Sequence, residues 1–114
     1  MKLESTVTEN IVYVRLQGDL IGSPDSQQLI DLVNNSISET KILCAVDLSH
    51  VRFINSSGIG VLVSLLTKFR NRGGELVLIN PSEQIRKLLI ITKLNNIFTV
   101  AETDKAAAAF LNQA

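Results

Sequence analysis

The chain lacks several features that would define its function class at once. It has one cysteine, two prolines and no tryptophan among 114 residues, and its eleven basic residues balance eleven acidic ones. One cysteine excludes a framework of disulfides, and Cys44 lies in the apolar run ILCAV, where we expect a buried, unreactive thiol. A formal net charge of zero excludes the broad positive field that nucleic acids or anionic membranes attract. The composition therefore favours a protein partner or a small ligand.

Long apolar runs are also absent. None approaches the roughly 20 residues that span a bilayer, and the polar start MKLESTVTEN is unlike a secretion signal. We expect a cytoplasmic protein that forms a single domain over residues 1–114, because no linker or repeat interrupts the chain. One histidine and one cysteine are too few for a typical metal cluster, so we predict neither metal nor cofactor.

The periodicity of the apolar residues predicts an α/β fold. Polar and apolar residues alternate over residues 3–8 and 11–18, which indicates an antiparallel hairpin. Short apolar blocks predict further strands at residues 42–46, ending at 47–49, and at 75–79 and 97–100. Helical patterns separate these blocks, so we predict the order ββαβαβαβα and a mixed, mostly parallel sheet with the hairpin at its start.

About four helices are expected, each preceded by residues that favour a helix start. The predicted starts are Ser23-Pro24-Asp25, Ser57, Asn80-Pro81-Ser82-Glu83 with Asn80 as the cap, and Thr103-Asp104. Spacings of three and four residues predict buried stripes at Leu29, Ile30, Val33 and Ile37, at Ile59, Leu62, Val63, Leu66 and Phe69, and at Ile85, Leu88, Leu89 and Ile91. Gly73-Gly74 ends the second helix, and the fourth runs to about Asn112.

The stretch HVRFINSSGIG, residues 50–60, is the candidate site. Asn55, Ser56 and Ser57 lie between a predicted central strand and a predicted helix, and partners often bind an α/β sheet at the carboxyl ends of its strands. A helix start also stabilises an anion such as a phosphoryl group. Serine and asparagine are equally the preferred helix caps, each worth about 1 kcal/mol. Spacing alone leaves a structural and a functional interpretation open.

Known catalytic motifs do not match this stretch. Gly58 and Gly60 lack the third glycine of a dinucleotide site, and no lysine follows at the spacing of a phosphate-binding loop. Neither serine has a glycine two residues before it, as a hydrolase nucleophile requires. His50 has no evident acid to orient it, and we expect it on the same loop, facing solvent. We predict no catalytic residue.

The segment DLSHVRFINSSGIGVL, followed by GGELVLIN, resembles the STAS domain family, specifically the bacterial anti-sigma-factor antagonists. The resemblance covers nearly the whole chain and includes Asp47-Leu48, Phe53-Ile54 and Gly73-Gly74. It implies a protein that binds an anti-sigma factor, itself a serine kinase of the GHKL type, and so frees a sigma factor. Phosphorylation would end this binding, and a PP2C-type phosphatase would reverse it. The alternative is a STAS module that binds constitutively within a signalling or transport complex.

The resemblance also implies roles for individual residues. Ser56 corresponds to the phosphorylated serine and Ser57 to a hydroxyl that is normally unmodified, while Asn55 replaces the usual aspartate. The predicted partner surface comprises Asn55, Ser56, Ser57, Gly58, Ile59, Val61 and Leu65. For Val61 and Leu65 the alternative is packing against a neighbouring helix. No nucleic acid, membrane or small-molecule substrate is implied.

Overall fold

The computed structural model describes residues 1–22 and 26–113. Within them, five strands form one sheet in the order β1-β2-β3-β4-β5, in which β1 is antiparallel to β2 and the remaining neighbours are parallel. The strands are β1 (Lys2–Thr8), β2 (Ile11–Leu20), β3 (Leu43–Ile54), β4 (Glu75–Ile79) and β5 (Thr99–Ala101). The predicted mixed sheet with an N-terminal hairpin is confirmed.

Helices connect the parallel strands and follow the last one. In the described part of the chain they are α1 (Gln27–Ser38), α2 (Ser56–Arg70), α3 (Glu83–Ile91) and α4 (Asp104–Leu111), with one 3-10 turn at Leu94–Asn96. The element order is ββαβαβαβα, as predicted. None of the described helices combines the length and apolar character needed to cross a bilayer.

The sheet separates two cores because successive strand residues point to opposite faces. The larger core packs β2, β3 and β4 against α1, α2 and α3, and the smaller one packs the other face against α4. Leu62 and Phe69 are fully buried in the larger core, and Leu111 in the smaller. Burial of each such side chain contributes roughly 1.5–3 kcal/mol. Cys44 is also fully buried, as expected, and burial raises the pKa of its thiol to about 12.

Strand β3 is longer than predicted. The expected end at residues 47–49 is wrong, because β2 continues alongside and pairs Gln17 with His50 and Leu20 with Ile54. Two shifts in the register between β2 and β3 interrupt the alternation of buried and exposed residues. The sequence pattern therefore did not reveal the full length of the strand. The last strand begins at Thr99 rather than at residue 97, because the Ile97 and Phe98 N–H groups both bond back to the Leu94 carbonyl of the 3-10 turn.

Two predicted helix starts need correction. The cap of α3 is Ser82, whose hydroxyl accepts the Ile85 N–H at 3.2 Å, and not Asn80. Asn80 instead donates its N–H to the Ala101 carbonyl at 2.8 Å. Helix α2 begins at Ser56, one residue earlier than predicted. The predicted start Ser23-Pro24-Asp25 lies outside the described residues.

The predicted start of α4 is confirmed, and glycines do follow α2, although this helix ends at Arg70 and not directly before Gly73. The Thr103 hydroxyl accepts the Ala106 N–H at 3.1 Å and caps α4. After α2, Gly73 has φ +80°, a left-handed conformation that glycine adopts without strain. The Gly74 N–H then reaches back to the Phe69 carbonyl at 2.8 Å, which closes the helix end.

Candidate functional site

The candidate site lies where β3 passes into α2. Leu20 and Ile54, the last residues of β2 and β3, pair with each other, so both strands end at the same edge of the sheet. Ser56 and Ser57 follow directly, form the first turn of α2, and are both exposed. The predicted position of the serines, at the carboxyl ends of parallel strands and at a helix start, is confirmed.

Asn55 is the helix cap. Its backbone is extended, with φ −101° and ψ −177°, and its side-chain Oδ1 accepts the Gly58 N–H at 2.8 Å. Its Nδ2 donates to the Ile21 carbonyl at 3.4 Å, and its backbone N–H donates to the Leu20 carbonyl at 3.4 Å. One asparagine therefore both starts α2 and ties it to the end of β2.

The hydroxyls of Ser56 and Ser57 take no part in the hydrogen bonds that Asn55 makes. Among the described residues, neither the Ser56 nor the Ser57 hydroxyl makes a hydrogen bond, because Asn55 supplies the cap. The structural interpretation of the motif thus applies to Asn55, and no hydrogen bond within residues 1–22 and 26–113 uses the two hydroxyls. An exposed, unbonded hydroxyl is accessible to an enzyme that transfers a phosphoryl group.

Two glycines allow the close contact between α2 and the end of β2. A methyl group at Gly58 would overlap the carbonyl oxygen of Leu20. Gly22 has φ +95°, and a side chain there would lie 2.9 Å from the Ser57 Cβ. Gly60 has open space around it, so the requirement for glycine is specific to position 58 within this helix. The backbone beneath the serines therefore packs closely against the end of β2.

The electrostatic surroundings of the serines lack a negative charge at position 55. The first turn of a helix carries partial positive charge from its unpaired N–H groups, so it stabilises a nearby anion. Arg52, upstream on β3, is 80% exposed and forms two hydrogen bonds of 3.1 Å with Asp19. This bonding lowers the pKa of Asp19 and raises that of Arg52.

The predicted partner surface is only partly exposed. Leu65 is fully buried in the larger core, so its assignment to that surface is wrong. It lies within one turn of Leu62 and Phe69, and the apolar face of α2 is broader than the predicted stripe. Gly58 and Ile59 are also buried, whereas Val61 is half-buried against the larger core.

His50 lies inside β3 and not on the loop. It pairs with Gln17 of β2, and its Nδ1 is 3.1 Å from the Ser49 hydroxyl. Within the described residues no group of histidine, cysteine, aspartate and glutamate is arranged to hold a metal ion.

Sequence reasoning missed three exposed apolar side chains near the site. Phe53 is 47% exposed, Ile21 is 44% exposed, and Ile91 is 78% exposed, although the spacing analysis placed Ile91 in a buried stripe. Helical geometry could have predicted the exposure of Ile91. Successive side chains of a helix are about 100° apart, so Ile91 points well away from the buried Ile85 and Leu89.

The comparison with protein families agrees with this geometry. A model of the STAS domain matches residues 2–107. The chain belongs to the STAS domain family. A Bordetella bronchiseptica relative, BtrV, which carries the name of an anti-sigma factor antagonist, is 28% identical over 109 residues, covering 96% of this chain and 93% of BtrV. The resemblance inferred from the sequence is confirmed for the family.

Solved structures show the same STAS fold. The crystal structure of a Thermotoga maritima protein, also named as an anti-sigma factor antagonist, has a TM-score of 0.85 and 21% identity, over 96% of this chain and 94% of that one. Phosphorylated SpoIIAA of Bacillus has a TM-score of 0.73 and 24% identity, over 96% and 97% of the two chains. Unphosphorylated SpoIIAA gives 0.72 and 21%, over 99% and 97%.

Proposed function

We propose that this STAS domain is an anti-sigma factor antagonist, a binding regulator rather than an enzyme. It binds an anti-sigma factor and thereby frees a sigma factor, and phosphorylation of Ser56 ends the binding. The observation that carries this proposal is the exposed Ser56 hydroxyl at the start of α2, which makes no hydrogen bond among the described residues. The name of the relative BtrV supports the same function.

The proposed switch needs little energy. A phosphoserine carries about 1.5 to 2 negative charges and three acceptor oxygens. A hundredfold loss of affinity corresponds to about 2.7 kcal/mol, and burying an imperfectly paired anion in an interface costs several kcal/mol. One phosphoryl group on Ser56 is therefore sufficient to release a partner that covers it.

The unbound protein tolerates the same group without refolding. The phosphate would face water at the positive end of α2, where an anion is favourable. The proposed switch therefore acts by local repulsion at the interface and needs no change of the fold, which this chain shares with both the phosphorylated and the unphosphorylated form of SpoIIAA. We therefore propose that phosphorylation lowers the affinity for the partner and leaves the structure of the unbound protein unchanged.

The proposed partners are an anti-sigma factor that is also a GHKL-type serine kinase and a PP2C-type phosphatase that resets Ser56. We further propose that residues 1–114 act as one domain in the cytoplasm. The partner surface is then built from Asn55, Ser56, Ser57 and Val61, with Gly58 and Ile59 shaping the backbone beneath.

Phosphorylation assays on matched serine variants test the proposal. The chain is incubated with purified GHKL-type kinases from the same genome and ATP, and the modified residue is located by mass spectrometry. Label is expected on the wild type and on Ser57→Ala but not on Ser56→Ala. Ser56→Asp should bind the kinase at least tenfold more weakly than Ser56→Ala, a difference of about 1.4 kcal/mol. Label that persists in Ser56→Ala would contradict the assignment.

Asn55 favours a second candidate function, a STAS module that binds its partner constitutively. The uncharged amide caps α2 fully, so this residue serves the fold without providing the aspartate that usually precedes the phosphorylated serine. Equal partner affinities of Ser56→Asp and Ser56→Ala would favour constitutive binding.

A further inference from the structure

An apolar groove lies between the last residues of β3 and helix α3. It has a volume of about 310 Å³, and its walls come from Phe53 and Ile54 on one side and from Ile85, Leu88 and Ile91 on the other. Ile54 and Ile85 are buried and form the floor, whereas Phe53 and Ile91 are 47% and 78% exposed at the rim. Large apolar side chains exposed together in this way mark a contact surface.

The charges at the groove are of one sign. Its remaining lining residues are Arg52, Gln84 and Lys87, and no carboxylate belongs to the lining. Arg52 is bound to Asp19, whereas Lys87 is exposed and forms no ion pair within the described part of the chain. An occupant that complements this groove presents apolar side chains to its floor and a carboxylate to Lys87.

The groove also adjoins the candidate site along the chain. Phe53 and Ile54 end β3, Asn55 caps α2, and Ser56 follows immediately. A protein segment that covers the groove therefore extends toward Ser56 along the same edge of the sheet. If that segment is acidic, a phosphoryl group on Ser56 would repel it.

We propose that this groove is a second docking point for the anti-sigma factor, which inserts an apolar segment carrying a carboxylate that pairs with Lys87. The inference rests on the proposed function and adds the chemistry of the partner. It assigns a binding role to Phe53, Leu88, Ile91 and Lys87, which lie outside the serine motif.

Two neighbouring isoleucines of α3 provide a matched test. Ile91 lines the groove, whereas Ile90, 60% exposed, does not. Both are exposed enough to accept a polar side chain without loss of the core. With the purified GHKL-type anti-sigma factor from the same genome as the probe, Ile91→Asp should weaken binding about tenfold or more, equivalent to about 1.4 kcal/mol. Ile90→Asp should change it less than twofold.

Charge reversal tests the carboxylate. Lys87→Glu should weaken binding about tenfold, and the wild-type affinity should fall with added salt more steeply than that of Lys87→Gln. Lys105→Glu is the control, because Lys105 is exposed on α4, which packs on the opposite face of the sheet. Circular dichroism and melting curves of all variants identify any that fail to fold.

The results separate the two proposals. If Ser56→Asp releases the anti-sigma factor but Ile91→Asp and Lys87→Glu bind as their controls do, the groove proposal is overturned and the antagonist function stands. If the wild type binds none of the anti-sigma factors, both are overturned. If Ile91→Asp weakens binding and Lys87→Glu does not, the groove is a docking point but the proposed carboxylate contact is wrong.

Discussion

Asn55 accepts the backbone N–H of Gly58 through its side-chain Oδ1 at 2.8 Å, while its Nδ2 contacts the Ile21 carbonyl at 3.4 Å. This pair fixes where α2 begins and leaves the intervening Ser56 and Ser57 hydroxyls without hydrogen bonds among the described residues. The site is a capped helix start with two exposed hydroxyls.

The cap should contribute measurably to stability. Asn55→Ala removes the acceptor for the Gly58 N–H and is expected to lower the free energy of unfolding by about 1 kcal/mol. Urea denaturation followed by circular dichroism measures the change. Asn34→Ala is the control, because Asn34 is exposed in α1 and alanine suits a helix. An Asn55→Ala variant as stable as the wild type would contradict the role of the cap.

Gly58 and Gly60 should respond oppositely to the same substitution. Gly58→Ala places a methyl group against the Leu20 carbonyl and should cost about 1–3 kcal/mol or more. Gly60→Ala meets open space in the same helix and should stabilise the protein by about 0.5–1 kcal/mol. Thermal melts of both variants give the comparison, and equal effects would exclude the steric explanation.

Stability should fall in acid partly through Asp47. Burial opposes its ionisation, but hydrogen bonds from Ser49 and from Arg15, at 2.8 Å, outweigh burial and lower its pKa. Asp47 therefore stabilises the folded state above its unfolded pKa of about 3.9, and this contribution is lost as the pH falls through the lower folded value.

Asp47→Asn should accordingly be less stable at neutral pH and show a flatter decline below about pH 4. The midpoints of urea denaturation, measured at a series of pH values from neutral to acid, give the pH dependence of stability for each protein. Asp31→Asn is the matched control, since the exposed Asp31 carboxylate contacts only the Gln27 amide among the described residues. If the urea midpoints of the wild type and of Asp47→Asn fell in parallel with decreasing pH, the proposed dependence of stability on the ionisation of Asp47 would be wrong.

An aspartate at position 55, directly before Ser56, should change the rate of phosphorylation more than the stability of the fold. Asn55→Asp keeps an acceptor for the Gly58 N–H and gains a favourable charge at the helix start, but loses the hydrogen bond to Ile21. Stability should therefore change by less than about 0.5 kcal/mol. We expect faster labelling of Ser56 by the GHKL-type kinase, measured against Asn95→Asp, which adds the same charge elsewhere.

Local patterns predicted most of the fold and part of the site. The cap at Thr103, the glycines after α2 and the position of Ser56 at a helix start followed from residue types and their spacing, because each depends on contacts within a few residues. The length of β3 did not follow, because the strand is extended by pairing with β2, and the register shifts hide its alternation.

Local sequence patterns gave wrong predictions of solvent exposure for two helical residues. Leu65 and Ile91 are both apolar residues of helices, yet Leu65 is fully buried and Ile91 is 78% exposed. Their surroundings are set by the packing of α2 and α3 on the sheet, which involves residues far apart in the chain.

The sequence by itself determined the element order, the STAS resemblance and the serine at the start of α2, since these depend on local propensity and on a motif. Only the tertiary structure decided that Asn55 also bonds to Leu20 and Ile21 and that Phe53 and Ile91 line one groove. The reason is that the bonds from Asn55 to the end of β2, and the groove between β3 and α3, join segments that are separated in sequence.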